Sequence, residues 1–173
     1  TLIRNYDLRV ETFPAPGAVL AASGFYKRLA NAIEDTLKSE TPERPTASFA
    51  STPRARCWGF ELEANRKLDF VPALRGFNLM ANYARIWSEV VYDNPETPGV
   101  VEQSTRPLQG QAPWALNLSL TYEHEATGTT ANVLLNRIGR RLDKIAVTEY
   151  RYIYLEPRSK VDLVVTQLLP WSL

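Results

Sequence analysis

Residues 114–124 read WALNLSLTYEH. Trp114, Leu116, Leu118, Leu120 and Tyr122 alternate with Ala115, Asn117, Ser119, Thr121 and Glu123, the period of two that sends successive side chains to opposite faces of a strand. Soluble strands centre on about five or six residues, whereas a tilted strand crossing a bilayer needs about nine to eleven. The run belongs to the longer class. It is greasy on one face and hydrophilic on the other.

Working outward, six more stretches alternate in the same way, at about 5–13, 18–30, 57–70, 77–93, 131–142 and 161–168. Pro14-Ala15-Pro16-Gly17 stops the first, because proline donates nothing to a ladder and glycine tolerates a reversal. Short connections at 14–17, 71–76 and 126–130 swap with long ones at about 31–54, where three prolines stand among Ser, Thr and Glu, at 94–112, which is punctuated by Pro and Gly, and at 143–160. Tyr150, Tyr152 and Tyr154 alternate within the last of these and extend the sheet beyond a membrane. The rhythm predicts an all-β, antiparallel up-and-down meander of about seven long strands with two unlike ends. It is the layout of part of a larger transmembrane β-barrel, with residues 1–173 as one segment and the three long connections as extracellular loops.

Aromatic residues gather in two bands. Phe13, Phe70, Phe77, Tyr122 and Trp171 fall near the short turns, and Tyr6, Phe25, Tyr26, Trp58, Trp87, Tyr92 and Trp114 near the opposite rim. Girdles of this kind flank the apolar band of a membrane barrel. A soluble lipocalin-like barrel or β-sandwich binding module also uses long alternating strands, with the apolar face turned inward, and stays open as the other reading.

Composition bounds the function. The 173 residues are 45% apolar and 23% charged, as in a folded chain, and the formal charge of +1 argues against a nucleic-acid partner. No run reaches the eighteen or so apolar residues of a membrane-spanning helix. The mean hydropathy of -0.26 does not decide the matter, since a barrel wall hides its lipid face in every second residue. The chain opens TLIRNYDLRV, which reads as strand and not as a signal peptide, so an internal piece of a longer outer-membrane protein is expected. The lone Cys57 forms no internal disulfide.

Little points to catalysis. His124 is the only histidine and sits near a turn, no nucleophile stands beside a base, and no zinc, phosphate-loop or nucleotide signature occurs. The expectation is no enzyme, no cofactor and no metal. Glu61 and Glu63 share a strand face, either as paired carboxylates or as a polar lumen wall. Asn117, Asn132 and Asn136 are candidates to line a lumen, facing a plug or a solute. Arg137, Arg140 and Arg141, with Lys144, form a basic cluster near a long loop. They suit an attractive rim for anionic ligands, contact with anionic lipopolysaccharide, or simple solvation.

Several segments resemble the C-terminal barrel region of TonB-dependent outer-membrane receptors. They are NYDLRVETFPAPGAVLAASGFYKRLANAIE, CWGFELEANRKLDF, RPLQGQAPWALNLSLTYEH, NVLLNRIGRRLDKI and KVDLVVTQLL, in that order along nearly the whole chain. The resemblance implies a barrel of about 22 strands filled by an N-terminal plug. Such a receptor sits in the outer membrane and imports a scarce nutrient such as a siderophore, cobalamin or oligosaccharide, with energy relayed by TonB through the plug. It also implies lipid, lipopolysaccharide, the plug and the remaining strands as partners. Plug, TonB-contacting box and final aromatic-ended strand are not in these residues, so the isolated segment is expected to leave its terminal strand edges unpaired and not to close into a normal barrel.

Overall fold

Ladders that pair the alternating runs directly opposite one another keep each run's apolar set on a single face. The computed structural model, which describes residues 1–39, 45–91, 105–146 and 151–169, shows this arrangement. Its strands are β1 (Leu2–Thr12), β2 (Val19–Ser39), β3 (Pro45–Lys67), β4 (Phe77–Val91), β5 (Thr105–Arg106), β6 (Trp114–His124), β7 (Thr129–Ile138), β8 (Arg141–Ala146), β9 (Arg151–Leu155) and β10 (Arg158–Gln167). Seven are long, and β5, β8 and β9 are short. All lie in one sheet of order β10-β7-β6-β4-β3-β2-β8-β9, with β1 paired to β2 and β5 to β4. Short turns gather at one end, where Gly17 (φ 72°) and Gly128 (φ 64°) take the left-handed conformation that a reversal requires.

The ladder register sorts the two faces. Leu118 lies opposite Ala81 and Leu135, Ala81 opposite Ala64, Ala64 opposite Leu20, and Leu135 opposite Val161. One residue along, the row is Glu11, Ala21, Glu63, Asn82, Asn117, Asn136 and Lys160. No second layer covers the apolar face among the described residues. Leu62 is 48% exposed, Val133 44% and Leu163 68%, whereas a soluble sandwich or lipocalin would bury them.

Aromatic rows bound the apolar band. Phe77 faces Tyr122 with ring centroids 4.7 Å apart. Ten residues further along β4, Trp87 lies opposite Trp58, which lies opposite Tyr26 and then Tyr6. Ten steps at ~3.3 Å make about 33 Å along the strand. A tilt of about 40° reduces this to about 25 Å, the height of the apolar belt of an outer-membrane barrel.

The structure corrects several expectations. The stretch 31–54 is no irregular loop in its described part: β2 continues to Ser39 and β3 begins at Pro45. Polar side chains suit a strand wet on both faces. Its two described prolines sit where they do least harm, Pro45 at the first strand position and Pro53 where the β2–β3 ladder skips a pair. The sixth strand ends at Ile138 instead of Leu142, because Gly139 and Arg140 turn the chain into β8. Likewise 143–160 holds the rest of β8, then β9 and the start of β10. Phe25 leaves the outer girdle, since its pair Gly59 belongs to the polar face. Tyr92, Tyr150 and Trp171 lie outside the described residues, as does most of 94–112.

Closure occurs only at the far end from the short turns. β8 follows β7 after two residues, yet it pairs in parallel with β2 through Thr36 and Leu37, four ladders away. The sheet must roll up there. At Asn31 (φ 55°) the burial alternation of β2 shifts by one. Ala32, Glu34 and Thr36 then turn inward with Thr52, Val90 and Leu142. Below this roll the sheet is open among the described residues, where β1 pairs with β2 alone and β10 with β7 alone.

Gly59 offers a direct check on the packing. A Cβ there would run into the carbonyl oxygen of Arg85 and come within 2.8 Å of Phe25 Cζ and 3.1 Å of Ile86 Cα. Gly59→Ala is expected to destabilise by ~1–3 kcal/mol. A lowered denaturant midpoint would show it, and an unchanged midpoint would contradict the close approach of β2, β3 and β4.

Candidate functional site: a polar wall and a buried clasp above it

The register places Glu61, Glu63, Asn117, Asn132 and Asn136 on one polar face. Asn136 Nδ2 donates to Asn117 Oδ1 at 2.6 Å, and Ser119 Oγ to Asn132 Oδ1 at 2.9 Å. Arg9 Nη2 donates to Glu63 Oε2 at 2.9 Å while its Nε reaches Glu11 at 3.2 Å, so Glu63 is tied to an arginine and not to Glu61. Amides and ion pairs that satisfy one another across strands build a hydrated wall. Among the described residues, no three His, Cys, Asp or Glu side chains converge as metal ligands.

The basic cluster separates. Arg137 lies opposite Leu116, on the apolar face, with its guanidinium 5.8 Å from the Trp114 ring. Arg140 stacks 4.2 Å over Tyr154 and pairs with Glu156 at 3.1 Å, both groups well exposed. Arg141 begins β8, opposite Leu155. Lys144 is half-buried in the same strand, opposite Ile153. His124 is exposed at the β6–β7 turn, its Nδ1 2.8 Å from Thr127 Oγ1.

Sequence reasoning missed the buried charges. In the rolled end, Glu34 and Arg106 side chains are only 4% and 2% exposed and form a two-point ion pair, with Arg106 Nη1 to Glu34 Oε1 at 2.9 Å and Nη2 to Oε2. Thr52 Oγ1 donates to the same carboxylate, and the Gln109 N–H reaches Oε1 at 3.2 Å. The Gln109 side chain then acts as a substitute strand. Its Oε1 accepts from the Asp35 N–H at 2.7 Å, and its Nε2 donates to the Asp35 carbonyl at 2.9 Å and to that of Asp143. Gly110 N–H adds a bond to the Leu142 carbonyl at 2.8 Å, so residues 106–112 clasp β2 to β8. One signal was present: Ala32, Glu34 and Thr36 keep the period of two through the expected loop, with one charge among small residues.

Burial alone pushes the Glu34 carboxyl up. The Arg106 hydrogen bonds and charge, the Thr52 hydroxyl and the Gln109 N–H outweigh it and hold the group below the ordinary carboxylate range.

A curved, one-layer and mostly antiparallel sheet with a girdled apolar face and a polar face opposite is the wall of a transmembrane β-barrel of the outer membrane. The comparisons refine the class. The TonB dependent receptor-like β-barrel family model matches residues 2–167, and the chain belongs to that family. Among solved structures it is similar to the FrpB iron transporter of Neisseria meningitidis. The F5-1 variant in its apoprotein form gives a TM-score of 0.62 at 12% identity, over 96% of this chain and 24% of that one. The F3-3 variant gives 0.62 at 10%, over 96% and 23%. The siderophore receptor PirA of Acinetobacter baumannii gives 0.60 at 12%, over 94% and 25%. The chain thus spans about a quarter of the length of these structures. None of the curated proteins compared with it matches.

Arg106→Met strands a buried carboxylate and is expected to cost ~3–5 kcal/mol locally, whereas Glu34→Leu with Arg106→Met should lose far less. Protection of the 32–36 amides from hydrogen exchange reads both. A group held below its unfolded pKa stabilises fully above about 4.3 and loses that contribution as pH falls through its folded value. Protection that vanished well above pH 4.3 would contradict the ion pair.

Proposed function

We propose that this chain supplies wall strands and external loops of an outer-membrane importer for a scarce nutrient, driven through TonB. The row from Glu11 across Ala21 to Glu63, Asn82, Asn117, Asn136 and Lys160, polar at every position but one and back to back with the girdled apolar band, carries the reading. Such a row keeps a water-filled or plug-filled passage wetted while the other face dissolves in lipid. The reading assigns no bond-making step to these residues. Glu61, Glu63, Asn117, Asn132 and Asn136 serve as lumen groups facing the plug or the solute. Arg140 and Arg141 stand at the external end as first contacts for an anionic ligand, and focused positive charge there raises the local concentration of such ligands.

The names of FrpB and PirA, an iron transporter and a siderophore receptor, favour a ferric complex over cobalamin or an oligosaccharide. The decisive assay uses the full-length receptor in iron-starved cells and follows radioactive iron supplied as catecholate and hydroxamate ferric siderophores, with labelled cobalamin alongside. Iron uptake should vanish when either the receptor or TonB is deleted. Iron uptake indifferent to both deletions would sink the proposal, and a loss confined to cobalamin would overturn the ligand class.

Orientation of the wall has its own test. Leu118→Arg is expected to destabilise the folded receptor by ~2–4 kcal/mol, as a charge near the middle of the lipid face does. Asn117→Arg, one residue away on the polar face, should fold nearly as well as the parent. Equal losses in a urea titration, or the reverse order, would refute the assignment of faces.

A further inference from the structure

Charge is distributed very unevenly between the two faces of β1–β7. On the outward, apolar face the register collects Arg4, Arg28, Arg54, Arg56, Arg66, Arg85 and Arg137, and against them, among the described residues, Glu89 and, beyond the shift at Asn31, the exposed Asp35. The whole chain has a net charge of +1, so composition hides this asymmetry. Three of these arginines form a single cross-strand row: Arg4 lies opposite Arg28, Arg28 opposite Arg56, and Arg56 opposite Glu89. Like charges directly opposite in a sheet repel and destabilise it. Arg56 is neutralised by Glu89, its Nε donating to Oε2 at 2.7 Å. Arg28 has the Tyr26 hydroxyl, 3.3 Å from its Nε, and the Tyr26 ring 5.6 Å from its guanidinium but no carboxylate partner among the described residues, and both Arg4 and Arg28 are exposed. The row sits directly above the Tyr6, Tyr26, Trp58 and Trp87 girdle, at the level where lipid headgroups meet hydrocarbon.

A second observation lies below it on the same face. Ala22, Ala64 and Ala81 floor an open groove of about 490 Å³ walled by Val10, Leu62 and Tyr83. Gly24 is the next same-face position of β2 above Ala22, outside the groove's own lining, and a Cβ there would meet nothing nearer than the Gly59 carbonyl at 3.9 Å, so the strand surface stays low between groove and arginines. From Arg28 down to Ala22 is about 20 Å along the strand. At a tilt of about 40° that is about 15 Å of depth, half the thickness of a hydrocarbon core.

We propose that this strip is a binding site for an outer-leaflet lipid that carries two or more phosphates close to its acyl chains. The phosphates bridge Arg4 and Arg28, with planar guanidiniums offering paired N–H donors to phosphate oxygens. One acyl chain runs over Gly24 into the groove floored by Ala22, Ala64 and Ala81. The anion relieves the repulsion within the row, and the groove replaces large side chains with lipid. The site rests on the outer-membrane placement of the chain and not on what the receptor imports.

The experiment uses the full-length receptor purified in detergent, with native mass spectrometry reading bound lipid. Probes are bis-phosphorylated hexa-acyl lipid A, its dephosphorylated form, phosphatidylglycerol, and inorganic phosphate as competitor. The parent should retain bis-phosphorylated lipid A. Arg4→Gln with Arg28→Gln, which leaves the Arg56–Glu89 pair intact, should weaken retention at least about tenfold. Gly24→Leu fills open space and should fold normally, as heat-dependent gel mobility would verify, while displacing the acyl chain and lowering retention comparably. Unchanged retention in the double variant, equal binding of the dephosphorylated lipid or of phosphatidylglycerol, or displacement by excess inorganic phosphate would each overturn the proposal. So would full retention by a folded Gly24→Leu receptor, since the groove would then be irrelevant.

Discussion

Every strand edge exposes backbone N–H and C=O groups, and in hydrocarbon these have no water to fall back on. The long outer edge of β2 shows how the chain meets that demand. β1 covers Leu20 to Ala30, the Thr1 hydroxyl caps the Asn31 carbonyl at 2.8 Å, the Gln109 amide clamps Asp35, and β8 takes over at Thr36 and Leu37. Four unlike devices thus serve one edge in succession. Where the strand lies in the bilayer the partner is another strand; above it, side-chain amides suffice because water is near. The edges of β1 and β10 stay open in this segment, and these are the places where further wall strands of a receptor barrel would add.

The two faces follow from the same ladder. Strict pairing carries Leu118 into line with Ala81 and Leu135, and Asn117 into line with Asn82 and Asn136, so a slip of one residue in any strand would exchange lipid and lumen surfaces. That sensitivity makes the face assignment collective. It also sets the row Arg4–Arg28–Arg56 one same-face step above the aromatic girdle, whereas Arg66, Arg85 and Arg137 share the face at the depth of the apolar band, opposite Leu79, Trp114 and Leu116.

The rolled external end works by other means. A buried ion pair is weak as a source of net stability, because desolvation offsets attraction, yet one whose carboxylate accepts four fitted hydrogen bonds is demanding in geometry. Glu34 accepts from Thr52 in β3 and from Arg106 and the Gln109 backbone in the 106–112 segment, two stretches far apart in the chain. Its role is to specify how 106–112 and β8 seat against β2, around the fully buried Val90 and Leu142.

Much of this was legible beforehand. The period of two in 114–124, the turn residues at 14–17 and 126–130 and the two aromatic bands announced a barrel wall, and the order of quoted segments pointed to the family. The polar-face positions of Glu61, Glu63, Asn117, Asn132 and Asn136 also followed from parity alone. Parity says nothing about which residues of different strands meet. The convergence of Glu34 with Arg106, the parting of Arg137 from Arg140 and Arg141, the strands running through the expected loops and the row Arg4–Arg28–Arg56 all depend on register and on where an edge finds a partner. Alternation is a property of one strand and is written locally, whereas register and edge pairing are settled by contacts between residues far apart in the chain, so only the tertiary structure decided them.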